Sequence, residues 1–283
     1  MLDDDFCIVS DDGATRVSEV LGRPDRIFAR PPRVGLVVGT FASVPYVHLH
    51  LESRRRHYPE VPLLVHDDAS PRREELRRLC GEYGCDFESN ASRRRPCVGD
   101  VSCFLGGLLW AGRGRLDLLV KMSRRFLPLA DWAADLRGLA SASQYPTYCN
   151  HTESFGFGFR TECVGMAVDA WLAHRIHEEL ALMALAGDSP FVEGAIHVIA
   201  RRLAGFRCEA ARRWDERRGA RPADRDGYAP WDFMGTDRCT RYPGYLWHDS
   251  AAPRDYHRLA ASWGLGYAEA DFLDPNQGAG NGT

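Results

Sequence analysis

The stretch VGLVVGTFASVPYVHLHLESRRRHYPEVPLLVHDDAS, residues 34–70, decides the fold. It opens on six small and apolar residues, Val34 to Gly39, a run too short for a buried helix and suited to a strand covered on both faces. Residues 45–57 then carry a helical pattern, with Pro45 in the first turn where its missing N–H has no intrahelical partner to lose. A second apolar run follows at 62–66. Strand, helix and strand within this length imply a right-handed crossover and parallel pairing.

The alternation continues downstream. Ser70 and Pro71 start a helix that PRREELRRLCGEYG fills as far as Gly84. CDFES (85–89) is a third, weaker strand, 100–112 a third helix, and LDLLVKM (116–122) a fourth strand. The pattern predicts an α/β fold, a mostly parallel sheet flanked by helices, Rossmann-like over its first ~100 core residues. Beyond Pro128 it loosens into a helix at 129–139, a strand in SFGFGFRTECVGM (154–166), and helices at 168–186 and 191–204. A polar segment, 212–227, precedes a last strand at 242–248 and a short helix from Pro253 to Trp263. Residues 1–33 show no periodicity and end in RPPR, an extended lead-in. They read as an N-terminal extension, 34–270 as a single domain, and 271–283 as a disordered tail.

The chain has 283 residues, 45% apolar and 11% aromatic, enough to bury a sizeable core. Its net charge of −3 gives no global attraction to nucleic acid or acidic membranes. The triplets Arg54–Arg56 and Arg93–Arg95 read as solvated faces. No run approaches the ~18 apolar residues of a spanning helix. The opening MLDDDFCIVSDD is acidic where a secretory leader is basic, so a cytoplasmic location is the expectation. Nine cysteines without a CxxC pair point to a reducing compartment.

In an open parallel sheet, ligands bind beyond the carboxyl ends of the strands, where strand order reverses. That rule nominates Gly39-Thr40-Phe41, Asp67-Asp68-Ala69-Ser70 and Ser123-Arg124-Arg125. Together they offer an aromatic ring to stack a base, carboxylates to accept from base or ribose, and guanidinium forks that match phosphate oxygens. In the alternative, Arg124 and Arg125 lie on the surface and pair with Asp131 or Asp135.

With these loops in hand, the chain resembles the GT-A nucleotide-diphospho-sugar glycosyltransferases, above all the large inverting family with a VDDGS-like signature. Residues 34–70 are similar to that family's opening strand, Thr-aromatic turn, helix and Asp-Asp-small-Ser loop. GDVSCFLGGLLWAGRGRLDLLVKMSRRF (99–126) is similar to its next block, and the resemblance covers about 34–207. It implies a GT-A fold with a nucleotide-binding half, 34–126, and an acceptor half, 127–270. It also implies transfer of a sugar from a nucleotide diphosphate to a hydroxyl or amine. Thr40, Phe41, Asp67 and Asp68, with Asp100, would hold base and ribose. FVEGAIHVIARRLAGFR (191–207) is similar to the family's ED…R…G segment, which makes Glu193 the general base; the competing reading is a helix-start acid. Arg160, Thr161 and Glu162 fall where the family lines the donor–acceptor boundary.

The family normally ends its fourth strand with DxD, which holds a divalent ion across the diphosphate. Here Ser123, Arg124 and Arg125 stand there, a donor set ill-suited to a hard cation. The expectation is therefore no metal at this position, with Lys121, Ser123, Arg124 and Arg125 holding the diphosphate. Two rival readings stay open: a catalytically silent nucleotide-binding or partner subunit, and a nucleotidyltransferase. Asp224 and Asp226 form a literal DxD in a loop, and His248 resembles a carboxyl-terminal metal ligand of some GT-A enzymes, read here as a phosphate contact or packed ring. His48 with His50 and His174 with His177 read as structural. No GxSxG, Walker or GxGxxG sequence follows the first strand.

Overall fold

The computed structural model describes residues 7–10, 13–16, 26–151, 159–186, 192–204, 229–230, 245–247 and 252–273. A short hairpin comes first, β1 (Cys7–Ser10) with β2 (Gly13–Arg16). The predicted alternation follows as β3 (Val34–Thr40), α1 (Val44–His57), β4 (Leu63–Asp67), α2 (Arg73–Glu82), β5 (Asp86–Ser89), α3 (Pro96–Arg113) and β6 (Leu118–Ser123). After these come β7 (Phe126–Pro128), α4 (Trp132–Ser143), β8 (Thr147–His151), β9 (Phe159–Ala167), α5 (Val168–Ala173), α6 (Ile176–Ala186) and α7 (Val192–Ala204). The last elements are β10 (Ala229–Pro230), β11 (Tyr245–Trp247), α8 (Pro253–Ser262) and a 3-10 turn at Glu269–Phe272. Among the described residues no helix is long and apolar enough to cross a membrane.

Seven strands form one sheet in the order β10-β8-β9-β6-β3-β4-β5. β3 pairs in parallel with both β4 and β6, and β4 with β5. β9 runs antiparallel between β6 and β8, and β10 is parallel to β8. The sheet is thus mostly parallel and flanked by helices, as the alternation predicts. β3, β4 and β6 are buried almost throughout, which explains their uniformly apolar sequences. Leu36, Val38, Val65, Val120 and Met122 meet α1, α2 and α4 on one face. Val37, Leu64 and Leu119 meet Phe104 and Leu108 of α3 on the other, backed by Trp171 and Ile196.

α3 starts at Pro96, four residues before the expected boundary, because Arg95 is extended and the proline fits the first turn. The helix lies close against the sheet. A Cβ on Gly107 would stand 2.6 Å from Val37 Cγ1, and one on Gly106 2.6 Å from His66 Nδ1. The glycine pair therefore reads as a contact surface.

Both expected domain limits move outward. Phe28 is buried in the main core, and its backbone exchanges hydrogen bonds with the Gln144 amide, N to Oε1 at 2.8 Å and Nε2 to O at 3.2 Å. The body thus reaches back to residue 28 at least, not 34. At the other end Phe272 is buried, and Tyr46 of α1 donates to its carbonyl at 2.8 Å. Residues 271–273 belong to the packed body, because the C-terminal segment closes over α1 through Tyr46, Leu49, Tyr256 and Phe272. Residues 274–283 and 212–227 lie outside the described residues.

Candidate functional site

The four parallel strands end in line. Thr40 is opposite Asp67, Asp67 opposite Ser89, and Gly39 opposite Ser123. Strand order reverses at β3, which has β4 on one side and β6 on the other, so the nominated loops share one edge of the sheet.

The loop after β4 is built by Asp67. This carboxylate is fully buried and accepts from Ser70 N at 2.9 Å, from Ser70 Oγ, and from Ser89 Oγ at 2.9 Å. Ser70 Oγ in turn accepts from Ala42 N at 2.6 Å, tying this loop to the one after β3. Ala42 and Ala69 take left-handed backbone conformations, φ 50° and 56°, so both turns are held in strained geometry by the bonds around Asp67. Asp67 is thus placed as the loop's internal anchor and not at a ligand-facing surface.

Asp68 is nearly buried. It accepts from Asn90 Nδ2 at 2.7 Å and from the Arg94 backbone N–H at 3.1 and 3.2 Å, and its own N–H donates to Thr40 O at 2.9 Å. A Cβ on Gly99 would stand 2.7 Å from Asp68 Oδ2. Asp68 is held by groups that cannot follow it, so Gly99→Ala is expected to lower stability by about 1–3 kcal/mol. That loss stands against the ~1 kcal/mol an alanine adds to helix propensity. A thermal melt matching or exceeding the wild type would contradict the tight fit.

Thr40 is buried, and among the described residues its Oγ1 has no hydrogen-bond partner. Phe41 is half-buried, with the Arg93 guanidinium 3.9 Å from its ring centroid. The Arg93–Arg95 triplet is exposed, as a solvated run should be, but it stands at the candidate site against Phe41. Its position after β5 was the signal that could have found it, because the same topological rule covers that loop.

Lys121 departs from expectation. It is 1% exposed, with Nζ 2.5 Å from Asp100 Oδ1 and 4.9 Å from the Phe104 ring centroid. Burial pushes its pKa down, but Asp100, Cys103 and Glu162 oppose it, and the balance lies above the usual lysine value. The ammonium is therefore charged and engaged inside the protein, not delivered to the strand's mouth for a diphosphate. It faces α3 because it shares the strand face of Leu119, and α3 covers that face. Asp100 is half-buried and carries this ion pair. Burial pushes the neighbouring Cys103 thiol up to about 12, which keeps it neutral.

Ser123, Arg124 and Arg125 are half-buried in the turn between β6 and β7. Among the described residues no ion pair joins either arginine to Asp131 or Asp135; Asp131 instead caps α4 at Ala134 N, 3.2 Å away. The backbone of the turn is held from within. His50 Nε2 meets Arg124 O at 3.2 Å, Tyr256 OH donates to Arg125 O at 2.6 Å, and Ser53 Oγ donates to Pro128 O. Burial pushes His50 down to about 4, so the ring is neutral and its proton lies on Nε2, facing a carbonyl that can only accept. His48 is structural, bridging Tyr83 OH and Tyr267 OH.

The remaining candidates divide. Glu162 is half-buried on β9, one residue beyond Cys163, which is opposite Met122 at the end of β6. Arg160 and Thr161 lie on the same strand and Glu193 in the first turn of α7, with side chains outside the described residues. His248, Asp224 and Asp226 also lie outside them, although β11, just before His248, pairs with β7. The end of β6 presents a hydroxyl and two guanidinium groups, which do not fit a divalent cation. Among the described residues no three His, Cys, Asp or Glu side chains gather to hold one.

No protein-family model and no curated protein matches the chain. Solved structures resemble it at low identity. The glycosyltransferase GlyE of Streptococcus pneumoniae TIGR4 aligns with TM-score 0.43 and 12% identity over 60% of this chain and 43% of that one. The mannosyltransferase PcManGT of Pyrobaculum calidifontis, solved with GDP-Man and Mn2+, aligns with TM-score 0.44 and 16% identity over 68% and 59%. S. aureus TarS in complex with UDP-GlcNAc aligns with TM-score 0.42 and 9% identity over 65% and 70%. The chain thus spans less than two thirds of the length of the first two.

Proposed function

We propose that this chain is a glycosyltransferase that binds a nucleoside diphosphate sugar at the carboxyl edge of β3, β4, β5 and β6 and transfers the sugar to a hydroxyl or amine. The supporting observation is the convergence at the strand-order reversal of an aromatic ring, Phe41, with guanidinium-bearing loops at Arg93–Arg95 and Arg124–Arg125. Base stacking and diphosphate neutralisation need these groups side by side.

In the reaction, the acceptor oxygen or nitrogen bonds to the anomeric carbon as the bond from that carbon to the diphosphate oxygen breaks. The electron pair leaves with the nucleoside diphosphate, and the acceptor proton passes to the Glu193 carboxylate, consistent with inversion. Arg124 and Arg125 offset the charge that develops on the leaving group, a task a divalent ion performs in DxD enzymes. Transfer is then insensitive to chelators, and we place the protein in the cytoplasm.

Thermal melting with UDP, GDP and dTDP, and with their sugars, tests the reading in the presence of a chelator. At a hundred-fold excess over Kd, a true ligand adds about 2.7 kcal/mol of stability. A rise of several degrees with one nucleotide is expected; no rise with any overturns the proposal. The absence of a carboxylate pair at the end of β6 favours a second reading, a nucleotide-binding subunit without catalysis. It predicts the same thermal shift, no sugar release with any acceptor, and no effect of Glu193→Gln.

A further inference from the structure

The turn that carries Arg124 and Arg125 is clamped by distant parts of the chain. His50 and Ser53 lie three residues apart on one face of α1 and reach the carbonyls of Arg124 and Pro128. Tyr256, from α8 and 131 positions away, donates to the carbonyl of Arg125 at 2.6 Å. β11 closes the far side, with Trp247 opposite Phe126 and Tyr245 opposite Pro128. Tyr256 is 1% exposed and packs edge-on against Tyr46, ring centroids 4.9 Å apart, so its hydroxyl has little freedom.

The direction of these bonds matters. Carbonyl oxygens carry partial negative charge, and a turn that aimed them at a bound anion would oppose binding. Here the turn's carbonyls of Arg124 and Arg125, and that of Pro128 at the end of β7, are all taken by donors inside the protein. We propose that Tyr256, with His50 and Ser53, is a positioning residue for diphosphate binding: it draws the turn's carbonyls inward and fixes the backbone from which the two guanidinium groups extend. The inference rests on the donor-site reading above and assigns α8, which carries no residue of the site itself, a part in ligand affinity.

Tyr256→Phe removes one hydroxyl and keeps the ring, and Tyr46→Phe is its control. Tyr46 shares the same aromatic cluster but donates to Phe272 O, away from the turn. Calorimetry on the wild type and both variants would use whichever of UDP, GDP or dTDP shifts the wild-type melt, and the matching nucleoside. For Tyr256→Phe the diphosphate is expected to bind about ten-fold more weakly with nucleoside affinity unchanged. Tyr46→Phe should alter neither affinity, whatever its effect on melting. Equal losses for diphosphate and nucleoside in Tyr256→Phe, or no loss, would overturn the positioning role while the donor site stands. A wild type that binds no nucleotide overturns the donor-site reading and this inference with it.

Discussion

Lys121→Met is expected to destabilise the fold by about 3 kcal/mol, and Asp100→Asn by more, toward 5 kcal/mol. Both changes break the Lys121–Asp100 ion pair, but they strand different partners. Without Lys121, the Asp100 carboxylate keeps 27% of its side-chain surface in contact with water. Without Asp100, the ammonium stays 1% exposed, and Glu162 is an opposing charge among the described residues. The double variant Lys121→Met with Asp100→Asn should cost less than Asp100→Asn alone, because the fully buried ammonium is removed together with its partner and only the half-buried Glu162 loses a nearby opposite charge. Chemical denaturation measures all three, and a reversed order of the single variants would contradict the internal placement of Lys121. The lysine pKa lies above its usual value, so the stabilisation linked to its charge is present through neutral pH and is lost as pH rises through that raised value.

Arg124→Ala combined with Arg125→Ala is expected to abolish the thermal shift given by a nucleoside diphosphate. A hydrogen bond to a charged group contributes roughly 1.5–3 kcal/mol. Loss of two such contacts weakens binding by about 100-fold or more. The turn's backbone stays held by His50, Ser53 and Tyr256 in the double variant, and a melt of the ligand-free protein beside the titration separates lost binding from lost fold. Calorimetric titration separates the outcomes: a double variant that binds as tightly as the wild type would remove the arginines from the site.

How far the sequence was readable depends on how local each signal is. β3, β4 and β6 were legible because strands covered on both faces leave continuous apolar runs. β8 and β7 were not. Thr147–His151 has no apolar alternation, and Phe126–Pro128 is three residues long and pairs with β11, more than a hundred residues on. Lys121 shows a further limit. Periodicity assigns its strand face, but whether that face is open or covered depends on how close α3 lies, which Gly99, Gly106 and Gly107 set. The carboxylates after β4 were found by type and position, yet Asp67 is consumed by Ser70 and Ser89, a division of labour that only the folded loop displays. Tyr256 could not be found at all, because nothing local links residue 256 to residue 125.

Arg93 was within reach. It follows a strand of the same parallel set, and its guanidinium covers one face of Phe41, which leaves the ring's other face or the guanidinium plane itself for a base.

The most direct test is a crystal structure of the chain with a bound nucleoside diphosphate, grown in the presence of a chelator. Phosphate oxygens within hydrogen-bonding distance of the Arg124 and Arg125 guanidinium groups, with the base against Phe41, are the expected result. Phosphates seated elsewhere, with both guanidinium groups turned into solvent, would contradict the account.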